Sequence, residues 1–110
     1  MTIERGAVHL AALPGLGRRP AVVVSSDAIN LRLRQPVVAR ITATDRPRSL
    51  MTYVHLGAEE AGLEHDSIIL CHDLTTVPAA ALGHRLGRIS PQRLEEVDAA
   101  LRRALDLPAL

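Results

Sequence analysis

The stretch GLGRRPAVVVSSDAIN, residues 15–30, joins a glycine loop and two adjacent arginines to an apolar run that ends in small polar residues. Three consecutive valines after Pro20 are typical of a strand, which we predict over residues 20–26. The glycines before it predict a turn that adapts its shape easily. Two guanidinium groups therefore stand where a strand begins, and this placement links the fold to the question of function.

The rest of the chain repeats the strand pattern and then changes to a helix. Short apolar runs bounded by turn residues predict strands over 6–13, 36–43, 51–56, 67–74 and 84–89, and single helical turns over 57–64 and 78–82. From Ser90, a predicted N-cap followed by Pro91, the pattern is helical, and Asp98 and Arg102 are spaced to pair one turn apart. The sequence predicts a mainly β fold with helices, a small antiparallel barrel or sandwich that ends in a helix.

Length and composition restrict the protein class. With 110 residues, we expect one domain over residues 1–110, small enough to gain stability by pairing with a second copy. Cys71 stands alone, so no internal disulfide forms, and this fits a reducing compartment. There is no basic-then-apolar leader and no apolar run of membrane-spanning length, so we expect a cytoplasmic protein without a membrane partner.

The positive charge is concentrated in one half of the chain. Every one of the 13 basic residues is arginine, and seven of them lie between Arg18 and Arg48, against two aspartates. The following segment, residues 51–82, contains five acidic residues and no arginine. Because the planar guanidinium binds phosphate oxygens in pairs, this clustering favours a partner rich in phosphate.

Several side chains are candidates for chemistry. On the third predicted strand, Arg40 and Thr42 face away from the apolar positions and form a polar face. The run Cys71-His72-Asp73 does not suit a metal ion, because neighbours on a strand point to opposite faces. His65-Asp66 resembles half of a metal phosphohydrolase motif, but its partner histidines are missing at suitable spacing, so we expect no metal site.

Four blocks follow one another along the chain: ERGAVHLAALPGLGRRPAVVVSSDAIN, VVARITATDRP, GLEHDSIILCHDLTTVP and RLGRISPQRLEEVDAALRRALDL. In this order and spacing they resemble the MazF/PemK family of toxin endoribonucleases from bacterial toxin–antitoxin modules, nearly from end to end. The resemblance implies a small SH3-like barrel with a C-terminal helix, a homodimer, and cleavage of single-stranded RNA without a metal or other cofactor. It also implies a cognate antitoxin whose tail lies across the RNA groove.

The resemblance carries over two catalytic roles, to Arg19 before the second strand and to Thr42 in the Ile-Thr-Ala block. Because Tyr53 is the only aromatic residue, stacking of bases on rings is nearly unavailable, and backbone and polar groups are expected to read the bases. The predicted RNA contacts are Arg18, Ser25, Ser26, Asn30, Arg40 and Asp73.

Cleavage of RNA without a metal can also be explained from the chemistry of RNA itself. RNA is cut without a metal when its 2′-hydroxyl attacks the adjacent phosphate, which leaves a 2′,3′-cyclic phosphate and a 5′-hydroxyl end. A fixed guanidinium stabilises the charge that develops on phosphate oxygens, but arginine transfers protons poorly. A histidine such as His72 is a candidate acid or base, although the sequence does not place it near Arg19.

Two alternatives stay open at this point. Gyrase-poisoning toxins related to CcdB use the same fold, but they carry aromatic residues at the C-terminus, where this chain ends in DLPAL. A non-catalytic nucleic-acid-binding module, or a toxin that has lost activity, is the other. It is suggested by Ala7 and His72, which stand where the MazF/PemK family usually has acidic residues.

Overall fold

A computed structural model describes residues 1–44 and 49–109. Six strands form one antiparallel sheet in the order β4-β5-β3-β2-β1-β6. The strands are β1 (Ala7–Leu13), β2 (Gly17–Val23), β3 (Val37–Ala43), β4 (Tyr53–Leu56), β5 (Ser67–Thr76) and β6 (Leu82–Arg88). The helices are α1 (Asp27–Leu33) and α2 (Pro91–Leu105), and two single 3₁₀ turns span Glu60–Gly62 and Ala79–Ala81. The predicted mainly β fold with a C-terminal helix is confirmed.

Apolar side chains cover both faces of the sheet. The larger cluster fills the space between the sheet and α2, and it includes Val22, Ile69 and Val97, none of which has exposed surface. A smaller cluster on the other face includes Ala21, Val23 and Val38. The alternating side chains of β2 supply both clusters, because neighbours on a strand point to opposite faces.

The turn after β4 packs against β6, the strand at the opposite edge of the sheet. Gly62 has φ +78°, and a Cβ atom there would lie 1.9 Å from the Leu86 carbonyl oxygen, so no side chain fits. Arg93 of α2 holds this turn through a pair of hydrogen bonds, from Nε and Nη2 to the two Glu60 carboxylate oxygens, at 3.0 and 2.8 Å. The chain that follows the turn therefore enters β5 from a fixed position.

The C-terminal helix begins as predicted but pairs differently. The Ser90 hydroxyl accepts a hydrogen bond from the Arg93 amide, which confirms the predicted N-cap. The predicted pair of Asp98 and Arg102 is wrong, because Asp98 instead pairs with Arg5 near the N-terminus. Neither helix in the described part of the chain is long and apolar enough to cross a membrane.

Helix α1 is absent from the sequence prediction. Its large apolar residues stand at every second position, Ile29, Leu31 and Leu33, which is not the helical period, and all three are exposed. A cap and a buried amide stabilise the helix instead: Ser26 accepts from the Ile29 amide, and Asn30 packs beneath with no exposed surface. Strand β2 consequently ends at Val23 and not at residue 26.

Candidate active site

The polar residues of β2 and β3 share one face of the sheet. On β3, Arg40 and Thr42 are half-buried, while Ala39 and Ile41 are buried in the larger cluster, which confirms the predicted alternation. The β2–β3 register pairs Ala21 with Arg40. Arg19 lies two residues before Ala21 and so points to the same face.

A cavity of about 500 Å³ lies over this face, and we call it the Arg19 cavity. Arg19 of β2 lines it together with Arg40 and Thr42 of β3. On its far side the wall is formed by Glu64 and His65, from the loop that leads into β5. Two guanidinium groups and a hydroxyl, contributed by two hydrogen-bonded strands, therefore surround one space.

A second cavity of about 860 Å³ adjoins the first, and we call it the Tyr53 cavity. The two cavities share Arg40, Thr42, Glu64 and His65, so they form one groove across the sheet. Tyr53 of β4 lines the far end of the groove. The groove runs from Arg19 at the start of β2 to the single aromatic ring of the chain.

A β-bulge in β5 positions Arg40. Ala39 of β3 pairs with Leu74, but Ile41 pairs with Ile69, so β5 has extra residues opposite Arg40. The bulge brings Asp73 to Arg40, whose Nε donates to Asp73 Oδ2 at 2.9 Å. Asp73 lines neither cavity, and its contact with Arg40 fixes the guanidinium that does.

Arg18 and Arg19 lie on opposite sides of β2 and differ in what they contact. The Arg19 guanidinium is exposed, and its Nη1 donates to the Arg18 carbonyl oxygen at 3.1 Å. The Arg18 guanidinium lies across β1 against Gly83 of β6, where a Cβ atom would be 2.6 Å from its Nη1. Of the two, only Arg19 lines the Arg19 cavity.

The Thr42 hydroxyl is loosely held. Its only described hydrogen bond runs to the Ala43 carbonyl oxygen at 3.5 Å, which is long for a hydroxyl donor. The hydroxyl can therefore turn toward a ligand at little cost.

Three predicted RNA contacts, Ser25, Ser26 and Asn30, lie elsewhere, and none of them lines either cavity. The Asn30 amide group donates to the Ser25 carbonyl oxygen at 3.1 Å and accepts from the Ser25 hydroxyl. Ser25 Oγ also accepts from the Val37 amide at 2.9 Å, and Ser26 caps α1. These side chains use their polar atoms to hold the chain between β2 and β3.

The structure also shows where the other candidate residues, Cys71 and His72, lie. The Cys71 thiol is buried, and burial raises its pKa to about 11. His72 lies on the surface, where Nδ1 shares a hydrogen bond of 2.8 Å with the Thr52 hydroxyl and the ring stacks on Tyr53. Within residues 1–44 and 49–109, no three His, Cys, Asp or Glu side chains are grouped closely enough to hold a metal ion.

Comparison with known proteins identifies the family of this chain. The model of the PemK-like, MazF-like toxins of type II toxin–antitoxin systems matches residues 4–105. The chain belongs to this family. It is 31% identical to Endoribonuclease EndoA of Bacillus subtilis over 113 residues, which cover 97% of each protein.

Solved structures agree with the MazF-like assignment. An endoribonuclease from a mycobacterial species, in complex with its cognate antitoxin, is 28% identical, with a TM-score of 0.84 over 97% of this chain and 98% of that one. The Mycobacterium tuberculosis toxin MazF-mt6 is 27% identical, with a TM-score of 0.82 over 94% of this chain and 99% of that one. The predicted family, fold and endoribonuclease class are thereby confirmed.

The sequence pattern marks His65 only as part of an incomplete metal motif and does not place His65 or Glu64 in the groove of this MazF-like chain. Glu64 and His65 belong to the loop before β5, and nothing in the local pattern says that the loop folds over Arg40. One signal in the sequence is Gly62, a glycine shortly before the Asp-Ser start of β5, because glycine suits a tight turn. In the structure Gly62 has φ +78°, which is left-handed. With Tyr53 as the single aromatic residue, the sequence predicts almost no stacking of bases on rings, yet Tyr53 lines the groove.

Proposed function

We propose that this MazF-like toxin cleaves single-stranded RNA by attack of the 2′-hydroxyl on the adjacent phosphate, giving a 2′,3′-cyclic phosphate and a 5′-hydroxyl end. One observation carries the proposal: Arg19, Arg40 and Thr42 line a single cavity that opens into a longer groove. The reaction needs no activated water, because the nucleophile belongs to the substrate. The protein has to bind the strand, align one phosphate and stabilise the charge that develops on it.

The two guanidinium groups divide that work. Arg19 is exposed, and among residues 1–44 and 49–109 its guanidinium donates only to the Arg18 carbonyl oxygen, so it can bind the oxygens of the scissile phosphate. Arg40 is fixed by Asp73, and a preorganised donor stabilises a transition state without reorganising during the reaction. Thr42 donates its loosely held hydroxyl to the same phosphate, and Arg18 attracts the flanking strand.

The partners follow from the same surfaces. Single-stranded RNA fits an open groove with arginines at one end and a tyrosine at the other. An antitoxin with an acidic segment would compete for the same arginines, and the mycobacterial relative was solved with its cognate antitoxin. Leu31 and Leu33 of α1 are 74% and 60% exposed, apolar surface that a homodimer would cover. We place this activity in the cytoplasm.

Substitution of the cavity residues tests the proposal. Arg19→Ala and Thr42→Ala should each lower the cleavage rate of a labelled single-stranded RNA by roughly a hundredfold or more, the usual effect of removing a donor that stabilises developing charge. Both side chains are at least partly exposed, so circular dichroism should show an unchanged fold.

Arg32→Ala is the matched control, because Arg32 is an exposed arginine of α1 that lines neither cavity. It should cleave at close to the wild-type rate. Wild-type cleavage by folded Arg19→Ala protein would refute the proposed site.

A further inference from the structure

The groove needs a group that moves a proton, and its two predicted catalytic residues do not supply one. Attack by the 2′-hydroxyl releases a proton as the new bond forms. Arginine keeps its proton in proteins, and a threonine hydroxyl is a poor base. Neither Arg19 nor Thr42 therefore suits this step.

His65 is the imidazole that the fold places in the groove. All five histidines lie in the described part of the chain, and of these only His65 lines the Arg19 cavity and the Tyr53 cavity. His9 is buried with Nδ1 against the Gly83 carbonyl oxygen, and His72 is bonded to Thr52. The sequence pattern had suggested His72 as the acid or base, but its ring does not line the groove.

The backbone around His65 is held while its ring stays available. The His65 carbonyl oxygen accepts from the Ser67 hydroxyl at 2.8 Å, and Asp66 Oδ1 accepts from the Ala58 amide at 2.7 Å. Upstream, the Gly62 backbone packs directly on Leu86 of β6, where a Cβ atom would lie 1.9 Å from the carbonyl oxygen. The His65 side chain is exposed, and its ring makes no hydrogen bond to residues 1–44 or 49–109.

The charged and titratable groups around His65 come from every side of the groove. Residues of both signs and one phenol line the two cavities with it: Arg19 from β2, Arg40 from β3, Tyr53 from β4, and Glu64 and Asp66 from its own loop. Among side chains, histidine is the one used most often to take or give a proton in catalysis.

We propose that His65 is the general base of the cleavage reaction, an inference that rests on the function proposed above. Neutral imidazole takes the proton of the 2′-hydroxyl while the bond from O2′ to phosphorus forms. The bond from phosphorus to O5′ breaks, and the leaving oxygen takes a proton from solvent. The imidazolium then returns its proton to water, so the enzyme ends unchanged.

The test compares His65→Gln and His65→Ala with the wild type under single-turnover conditions. Both variants should lower the cleavage rate by about a hundredfold or more, within the usual range for a positioned general base. Binding of an uncleavable 2′-deoxy RNA should be unchanged. The wild-type rate should rise with pH toward a plateau, and this rise should be absent in His65→Gln. Added imidazole should restore part of the His65→Ala rate.

A substrate with sulfur in place of the leaving 5′-oxygen separates base from acid, because a thiolate departs without protonation. His65→Gln should remain slow on this substrate, and recovery of the wild-type rate would overturn the base role. His84→Gln is the control, an exposed histidine of β6 outside both cavities, and it should cleave normally.

Two further outcomes distinguish failure of the base role of His65 from failure of the proposed RNA cleavage. A His65 variant that cleaves at the wild-type rate, beside an inactive Arg19→Ala variant, overturns the base role alone. Wild-type protein that leaves RNA intact overturns both.

Discussion

Replacing Asn30 with alanine should destabilise the protein without affecting its chemistry. The Asn30 side chain has no exposed surface and makes two hydrogen bonds to Ser25, as donor to its carbonyl oxygen and acceptor of its hydroxyl. Alanine removes both. The abandoned carbonyl costs about 1–3 kcal/mol and the second bond about 1 kcal/mol, so the free energy of unfolding should fall by about 2–4 kcal/mol.

The expected change in melting temperature follows from the chain length. An unfolding entropy of about 2.1 cal/mol/K per residue makes each kcal/mol worth about 4 °C in a chain of this size. Asn30→Ala should therefore melt roughly 8–16 °C below the wild type. Circular dichroism at one fixed protein concentration measures this, since dimerisation makes the melting temperature depend on concentration.

Ser26→Ala is the matched control for Asn30→Ala. It removes the exposed α1 cap, which accepts from the Ile29 amide at 3.2 Å, and should cost about 1 kcal/mol. Both variants should cleave RNA at the wild-type rate below their transitions. An Asn30→Ala protein that melts like the wild type but binds RNA more weakly would refute this reasoning and return Asn30 to the RNA contacts.

Three further predictions concern mechanism, reactivity and acid stability. Cleavage should survive EDTA, and an RNA with a 2′-deoxy sugar on the 5′ side of the cut should resist; cutting of that RNA would indicate an activated water instead. The Cys71 thiol, buried and with its pKa raised to about 11, should react with a thiol reagent at pH 8 only after unfolding, so rapid labelling of folded protein would contradict this packing. Arg93 holds the pKa of Glu60 below its usual value, so the pair stabilises the fold above the ordinary glutamate range and loses this contribution as pH falls through the lowered value. The melting temperatures of wild type and Glu60→Gln should therefore converge in acid, and a gap that stays constant with pH would argue against the pair.

Local patterns in the sequence determined most of the framework. Alternation placed Arg40 and Thr42 on one face of β3, and the Ser-Pro pair began α2 at the residue where the structure begins it. The reason is that alternation, capping and turn geometry depend on residues close together in the chain, so they can be recognised without the fold. Arg19 before Pro20 belongs to the same class of signal, because its position at the start of a strand marks one end of the groove.

Tertiary structure alone decided which side chains share the groove. His65 and Arg40 line the same groove because the loop that carries His65 packs on β6 at Gly62 and on the end of β3 through the Thr44 amide, which donates to the Asp66 carbonyl oxygen. Asn30 points inward because the segment after β2 forms a short helix, α1, in which Asn30 is the buried residue. The sequence did not predict this helix, because its exposed apolar residues do not follow the helical period. Asp98 likewise pairs with Arg5 across the fold, in place of a neighbour one turn away. Such contacts depend on where distant strands bring the chain together, and no local pattern of residues records that.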